Sequence, residues 1–277
     1  MRFGLDITQH QLSWDEIVRR ARLAEDAGLD GVWVFDHFKP LYADPMGPCL
    51  EAWTLLAGLA RETERVRLGT LVTGMTYRWP SMLAAEVITV DHLSNGRVEC
   101  AVGAAWNEPE HRALGIEFPS VAERMDRLEE GVQVLRKLFT EDDVTFEGKY
   151  YRLENATYHP RPIQQPSPPI WIGGTGRRRT LPAAGRYADA WHGWAEDPAG
   201  YREMKAIIDR AAEDAGRDPS SILRASSLSI SEPWDEVRRA YTWMAAEGIG
   251  YLVISWPGEG ETRVREFLEQ ILPSLEG

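Results

Sequence analysis

Apolar runs alternate with amphipathic runs along nearly the whole chain. Eight of the apolar runs are almost continuous, which is typical of strands in a parallel sheet that is covered on both faces. The predicted strands span residues 2–7, 31–36, 67–73, 98–105, 169–174, 189–194, 224–230 and 250–256. Because eight parallel strands with their helices typically need about 250 residues, the pattern predicts a closed α/β fold, the (β/α)₈ or TIM barrel.

Helix signals separate the predicted strands. Ser13 and Glu16 form a capping box, apolar residues then recur on one face, and Gly28 ends the helix. Similar patterns predict further helices after Pro48, Pro80 and Ser120.

One segment departs from this alternation. The stretch DVTFEGKYYRLENA predicts a small hairpin that turns at Gly148, and the prolines of RPIQQPSPP predict extended backbone after it. We interpret both as an excursion of the barrel between its fourth and fifth strands. Residues 1–277 are therefore predicted to form one domain.

Composition narrows the functional classes. The formal net charge of −12 would repel a phosphate backbone, so we expect no nucleic-acid partner. Cys49 and Cys100 are far apart and in no paired motif, which is typical of a reducing compartment. The start MRFGLDI passes directly into a predicted strand, and no apolar stretch reaches the roughly 18 residues of a membrane span. We expect a cytoplasmic protein that does not enter a membrane.

The chemistry of a (β/α)₈ barrel lies at the carboxyl ends of its strands, so residues at those ends are the candidates. Asp36 and His37 follow the second strand, where a carboxylate can orient an imidazole and the imidazole can transfer a proton near neutral pH. The alternative is that Asp36 caps the next segment and His37 forms only a local hydrogen bond. The other strand ends bring His10, Thr73, Gly74, Ala104, Ala105, Trp106, Asn107, His192, Trp194, Ser231, Glu232 and Trp256.

The segment WIGGTGRRR, residues 171–179, predicts an anion site after the fifth strand. Gly173, Gly174 and Gly176 let backbone amides approach a bound phosphate, and three arginines from Arg177 onward supply positive charge. The alternative is a plain glycine turn with solvated arginines. A metal site is not expected, because the segment GLDITQHQ after the first strand lacks the His-x-His pattern of metal-dependent barrel hydrolases.

Six segments together resemble the luciferase-like flavin and deazaflavin oxidoreductases. They are DHF (36–38), LEAWTLLAGLARETERVRLGTLVTG (50–74), VDHLSNGRVECAVGAAWNEPEHRALGI (90–116), YYRLENA (150–156), PIWIGGTG (169–176) and RYADAW (186–191). The resemblance implies the same barrel with an excursion after strand four. It also implies a cofactor, either FMN, used with oxygen for monooxygenation, or the deazaflavin coenzyme F420, used for hydride transfer. The LEAW and GTLVTG segments look more like the F420-dependent branch, and homodimers are common in the family.

Site residues follow from this resemblance by position. It implies that Asp36 contacts the cofactor ring and that His37 faces the substrate beside the reactive carbon. Leu71, Val72 and Thr73 would form a bulge behind the ring, often with a non-prolyl cis peptide. Further cofactor contacts would come from Ala104, Ala105 and Asn107, and the phosphate site from Gly173, Gly174, Thr175, Gly176 and Arg177.

One position departs from the family pattern. The sugar-phosphate dehydrogenases of the F420 branch carry a glutamate after strand four as acid or base, and Trp106 stands at the matching place. That substrate is therefore not expected. Trp106, Trp194 and Trp256 would make the pocket apolar, which favours a planar or hydrophobic substrate. Glu108 and Glu110 lie nearby in the sequence, and we expect both in a surface loop.

Three functional hypotheses follow. The first is an oxidoreductase that transfers a hydride between F420 and a small organic substrate, with His37 as the proton partner. The second is an FMN-dependent monooxygenase that uses the same site. The third is a barrel that binds a phosphorylated ligand without redox chemistry, which the missing acid at Trp106 would favour.

Overall fold

The computed structural model describes residues 1–41 and 43–276. Its strands in chain order are β1 (Arg2–Asp6), β2 (Gly31–Val34), β3 (Arg67–Thr70), β4 (Thr73–Gly74), β5 (Val98–Gly103), β6 (Val144–Glu147), β7 (Arg152–Ala156), β8 (Ile170–Gly173), β9 (Ala190–His192), β10 (Leu223–Leu228) and β11 (Tyr251–Ser255). The neighbour order β3-β2-β1-β11-β10-β9-β8-β5 is parallel throughout, and pairing of β3 with β5 closes the ring. This confirms the predicted (β/α)₈ barrel. The third predicted strand is divided into β3 and β4 by a bulge at residues 71–72.

Helices surround the barrel. They are α1 (Trp14–Asp26), α2 (Ala52–Glu62), α3 (Pro80–Ser94), α4 (Glu108–Leu114), α5 (Val121–Thr140), α6 (Thr180–Tyr187), α7 (Pro198–Asp214), α8 (Trp234–Ala246), α9 (Glu261–Glu266) and α10 (Leu272–Glu276), with a 3₁₀ turn at Pro219–Ser221 and a π-helical turn at Phe267–Ile271. The Ser13 hydroxyl accepts a hydrogen bond from the Glu16 amide at 3.3 Å, as the capping box predicts. Within the described part of the chain, no helix is both long and apolar enough to cross a membrane.

The barrel interior is filled by side chains in layers. In the middle layer Trp33, Trp171 and Tyr251 are each at most 2% exposed and meet edge to face, with ring centroids 4.8 to 6.0 Å apart. Their polar atoms are satisfied, because Trp33 Nε1 donates to the Tyr251 hydroxyl at 3.1 Å and Trp171 Nε1 donates to Glu99 at 2.7 Å. This packed layer blocks the barrel, so a ligand can enter only above it.

The predicted excursion is present between β5 and β8. Strands β6 and β7 form an antiparallel hairpin, and the Glu130 carboxylate on α5 accepts hydrogen bonds from the amides of Lys149, Tyr150 and Tyr151. The proline-rich segment then returns to β8, with cis bonds before Pro160 and Pro166. No described residue of the excursion lines the cavity at the carboxyl ends of the barrel strands.

Candidate active site

A cavity of about 520 Å³ opens at the carboxyl ends of the barrel strands. Its floor is the uppermost layer of inward-facing residues, and each of the eight barrel strands contributes one of them, at its end or just after it. In chain order these residues are Asp6, Phe35, Leu71, Gly103, Gly173, His192, Ser227 and Ser255. The alternation of side chains along a strand therefore selects which residue of each strand faces the ligand.

The floor has an apolar half and a polar half. The four adjacent strands β2, β3, β5 and β8 contribute Phe35, Leu71, Gly103 and Gly173. The other four, β1, β11, β10 and β9, contribute Asp6, Ser255, Ser227 and His192.

Burial changes the ionisation of two groups in the polar half. It raises the pKa of Asp6 to about 7, against hydrogen bonds from Thr8 that lower it. It lowers the pKa of His192 to about 4, so this imidazole is neutral at pH 7.

A bulge shapes the apolar half. The peptide bond between Leu71 and Val72 is cis, as the resemblance implies, and both residues line the cavity. Glycines on the neighbouring strands make room for Val72, since a Cβ on Gly103 or Gly173 would lie 2.8 or 2.7 Å from its methyl groups. Thr73 is fully buried behind the bulge, where its hydroxyl accepts a hydrogen bond from Trp53 Nε1 at 2.9 Å. Leu71 and Val72 therefore form an apolar wall of the cavity, with Thr73 buried behind them.

His37 lines the cavity, and its partner is a residue that the sequence reasoning places on the surface. Nδ1 of His37 lies 2.7 Å from Oε2 of Glu110, which is only 4% exposed. Glu110 lies on the short helix α4, which begins after Asn107 because the Asn107 side chain accepts a hydrogen bond from the Glu110 amide. The expectation of a surface loop is wrong for Glu110. Glu108 is exposed, as expected, but it lies on the same helix rather than in a loop and pairs there with Arg112.

Four donors surround the Glu110 carboxylate. One oxygen accepts from the backbone amides of Phe38 and Lys39 at 2.9 and 3.2 Å, and the other accepts from the Tyr77 hydroxyl and contacts His37. Burial alone would raise the pKa of Glu110, but these hydrogen bonds lower it below the ordinary value. Glu110 is therefore an ionised acceptor, so Nδ1 of His37 carries a proton and Nε2 is left for the cavity.

Asp36 does not share this arrangement. Its carboxylate is 1% exposed and forms a two-pronged ion pair with the Arg78 guanidinium, which also contacts Glu51 and Glu86. Asp36 is not among the residues that line the cavity. The predicted pairing of Asp36 with the His37 imidazole is therefore replaced by two separate pairs, Asp36–Arg78 and His37–Glu110.

Of the three tryptophans predicted to line the pocket, two line the cavity and one does not. Trp106 and Trp194 line the cavity mouth and are 60% and 59% exposed, and the Trp106 ring lies 5.6 Å from the His37 ring. Trp256 does not line the cavity, because its ring lies under the Arg20 guanidinium at 3.8 Å on the outer side of β11. Trp106 and Trp194 can therefore contact a ligand in the cavity, and Trp256 cannot.

The glycine-rich loop lies at the edge of the cavity. Gly173 and Gly174 line it, and Gly174 has φ +123°, a conformation that favours glycine. The loop continues through Thr175, Gly176 and Arg177 to the start of α6, with Arg177 exposed and paired with Glu203.

Ala104 and Ala105 line the cavity, whereas Asn107 caps α4 and does not.

Several residues of the site carry a weak signal in the sequence. Asp6, Ser227 and Ser255 lie inside apolar runs rather than after them, so a search beyond the strand ends passes over them. Tyr77 lies in the loop that follows β4, and Glu110 lies on helix α4 after β5, so the two residues come from separate segments. Among the described residues, no group of histidine, cysteine and acidic side chains is arranged to hold a metal ion.

Comparison with known proteins identifies the family of this chain. A family model described as luciferase-like monooxygenase matches residues 1–269. The chain belongs to this family. A relative from Amycolatopsis mediterranei named F420-dependent glucose-6-phosphate dehydrogenase is 30% identical, covering 99% of this chain and 98% of its own. A second, from Mycobacterium tuberculosis, is named F420-dependent hydroxymycolic acid dehydrogenase and is 30% identical over 88% of this chain and 67% of its own.

A solved structure shares the fold of this chain. A structure described as an F420-dependent secondary alcohol dehydrogenase in complex with an F420-acetone adduct superposes with a TM-score of 0.88. The two sequences are 23% identical, and the superposition covers 99% of this chain and 98% of the other. The family model and the relatives confirm the predicted membership in the luciferase-like family, and the superposition agrees with the predicted barrel.

Proposed function

We propose that this family member is an F420-dependent oxidoreductase that transfers a hydride between the deazaflavin and a carbon bearing a hydroxyl or carbonyl oxygen. The relatives named above support the cofactor, because two curated relatives with different substrates are both named as F420-dependent. The observation within this chain that carries the proposal is the His37–Glu110 pair beside an apolar wall. Proton transfer and hydride transfer need these two features side by side.

The size and lining of the cavity support the binding of a flat tricyclic ring with a phosphate-bearing tail. Its volume of about 520 Å³ lies within the range of small-molecule sites, roughly 300–1,000 Å³. Leu71, Val72, Ala104, Ala105 and Gly173 present an apolar surface that a ring can lie against. The Gly174 amide donates to the His192 carbonyl at 2.9 Å, so the amides of Thr175 and Gly176 would hold the phosphate near the start of α6, with Arg177 adding charge. When bound, the deazaflavin supplies the group that accepts or donates a hydride.

The protein supplies the proton chemistry. Glu110 fixes the His37 ring with Nδ1 protonated, so Nε2 can accept the proton of a substrate hydroxyl during oxidation or return it to a carbonyl oxygen during reduction. Tyr77 and the amides of Phe38 and Lys39 keep the Glu110 carboxylate in place. Asp36 acts indirectly in this proposal, since its ion pair with Arg78 holds the chain segment that carries His37.

The cavity mouth limits the substrate. Trp106 and Trp194 offer two exposed indole rings against which a planar or hydrophobic part of the substrate can pack. Trp106 leaves position 106 without the acid of the family pattern, and we assign the proton role to His37, which Glu110 orients from α4. The pair of His37 and Glu110 weakens the case for the non-redox hypothesis. We propose that the substrate joins an apolar body to one oxidisable alcohol or reducible carbonyl.

Separate titrations of the purified apoprotein with F420 and with FMN test the proposal. We expect saturable F420 binding, seen as a change in the deazaflavin absorption spectrum, and no comparable FMN binding. FMN binding without F420 binding would reject the proposal in favour of the monooxygenase. An FMN titration of the Gly173→Ala variant controls for nonspecific association.

A further inference from the structure

We propose that Asp6 determines substrate specificity: it accepts a hydrogen bond from a hydroxyl or ammonium group of the substrate and excludes phosphorylated molecules. The inference rests on the proposed oxidoreductase function and names the substrate class of the same cavity. It concerns the polar half of the floor, which the proposed ring site does not use.

The Asp6 carboxylate is fixed and faces the ligand space. Asp6 ends β1, pairs with Ser255 in the β1–β11 register, and is 5% exposed while lining the cavity. The Thr8 amide donates to its Oδ1 atom at 2.9 Å, which holds the group without neutralising it. A fixed acceptor of this kind favours ligands with a matching donor.

No positive charge balances this carboxylate within the cavity. Arg20 attracts the Asp6 carboxylate and lowers its pKa, but Arg20 does not line the cavity, and its guanidinium donates to Glu16 and to the Ile7 carbonyl and stacks on Trp256. Among the described residues that line the cavity there is no lysine or arginine. His192 is neutral at pH 7 and lies 3.0 Å from the Ser227 hydroxyl through Nε2.

These groups discriminate between substrates by charge. Above about pH 7, where Asp6 is ionised, a phosphate placed in the polar half would meet the Asp6 carboxylate with no cation among the described cavity-lining residues to pair with, and like charges in a partly buried site repel strongly. A hydroxyl group can instead donate to Asp6 and exchange hydrogen bonds with Ser227 or Ser255. Burial of Asp6 is itself unfavourable, which is typical of a carboxylate retained for binding or catalysis.

The relative from Amycolatopsis mediterranei is named for a phosphorylated sugar. The charge of this floor separates the present chain from a substrate of that kind. The polar half suits a neutral alcohol or an amino alcohol, and the tryptophans at the mouth cover the apolar remainder of such a molecule.

The test uses F420-loaded protein at about pH 8.5, where Asp6 with its pKa of about 7 is ionised, and three matched probes: cyclohexanol, cyclohexylamine and cyclohexyl phosphate. Their dissociation constants are measured by quenching of tryptophan fluorescence, because Trp106 and Trp194 lie at the mouth. We expect the alcohol and the ammonium ion to bind at least about tenfold more tightly than the phosphate, the size of effect expected from a charged hydrogen bond. Asp6→Asn should reduce this preference about tenfold and leave the F420 dissociation constant within about threefold.

Three outcomes would overturn the inference. These are phosphate binding as tight as the alcohol in the wild type, an unchanged preference in Asp6→Asn, and no binding of any probe. A tenfold loss of F420 affinity in Asp6→Asn would likewise contradict it, because Asp6 would then hold the cofactor. Ser231→Ala is the control, because Ser231 does not line the cavity. Ser255→Ala gives a second test, because it should weaken the binding of cyclohexanol and leave the binding of the other two probes unchanged.

The failure of the proposed function gives a different result. If the wild type binds no F420, the oxidoreductase proposal fails, and the probes are measured on the unloaded protein. The same order of probe affinities there would uphold the role of Asp6 in a cavity with another chemistry.

Discussion

Replacing Glu110 with glutamine removes one charge from the centre of the proposed site and almost no volume. The carboxylate now meets four donors: the Phe38 and Lys39 amides on one oxygen, and Tyr77 and His37 on the other. The backbone amides fix the glutamine oxygen on their side, so its NH₂ group faces His37. A donor in that position stabilises the opposite imidazole tautomer, in which Nε2 carries the proton and cannot accept one from substrate.

The expected magnitude follows from these contacts. Loss of a correctly protonated base costs about 10²–10⁴ in rate. Because the ring itself stays in place, we expect the lower part of this range, a fall of about 10²–10³ in kcat for alcohol oxidation, equal to about 3–4 kcal/mol. Loss of a charged hydrogen bond, about 2 kcal/mol, should lower Tm by about 5 °C.

The assay combines steady-state rates with nitrogen-15 NMR of labelled histidine. Glu110→Gln should exchange the Nδ1-protonated signal of His37 for the Nε2-protonated one, with the signal assigned from His37→Ala. F420 affinity should stay within about threefold. Glu108→Gln is the matched control, because this residue lies two positions earlier on the same helix, is exposed, and pairs only with Arg112 among the described contacts. If Glu110→Gln keeps the wild-type kcat and the wild-type tautomer of His37, the role assigned to Glu110 is refuted.

Three further predictions test other parts of the site. His37→Ala should lower kcat about 10²–10⁴-fold with F420 affinity within threefold, and unchanged turnover would contradict its role. Gly173→Ala should cost about 1–3 kcal/mol of stability and weaken F420, since its Cβ would lie 2.7 Å from Val72, whereas Gly258→Ala, with open space around it, should do neither. The pKa of Asp6 rises from 3.8 to about 7 on folding, so the native state holds a proton that the unfolded state releases and stability falls as pH rises through this window. Denaturant unfolding should therefore show Asp6→Asn more stable than the wild type by up to about 4 kcal/mol at pH 8 and equal to it at pH 4, and a constant difference would contradict the shift.

Much of the fold follows from the alternation of apolar and amphipathic runs. Strands buried on both faces are apolar throughout, and the barrel then fixes which ends meet. The bulge at Leu71 and Val72 follows from the resemblance rather than from any local pattern, because no residue type at these positions requires a bulge.

The site is less predictable because its key contacts join distant segments. Asp36 is adjacent to His37 in sequence, yet its partner Arg78 comes from a loop 42 residues away. Glu110 reaches His37 across 73 residues because the short helix α4 turns it inward. Its one local signal is Asn107, with Pro109 at a first-turn position, which predicts a helix start and not which face is buried.

The polar floor is different, since it follows from strand periodicity alone. Once β1 and β11 are placed, side chains alternate between the barrel interior and the helices, so Asp6 and Ser255 can be assigned inward two positions after Gly4 and Val253. A search restricted to residues after the strands finds Ser231 and Trp256 instead, and neither lines the cavity.

An experimental structure of the complex with F420 tests the central claim most directly. We predict the deazaflavin ring against Val72 and Gly173, with Nε2 of His37 facing the space beside its reactive carbon and Nδ1 still bonded to Glu110. A ring bound outside the barrel mouth, or His37 turned away from it and unpaired from Glu110, would contradict the account.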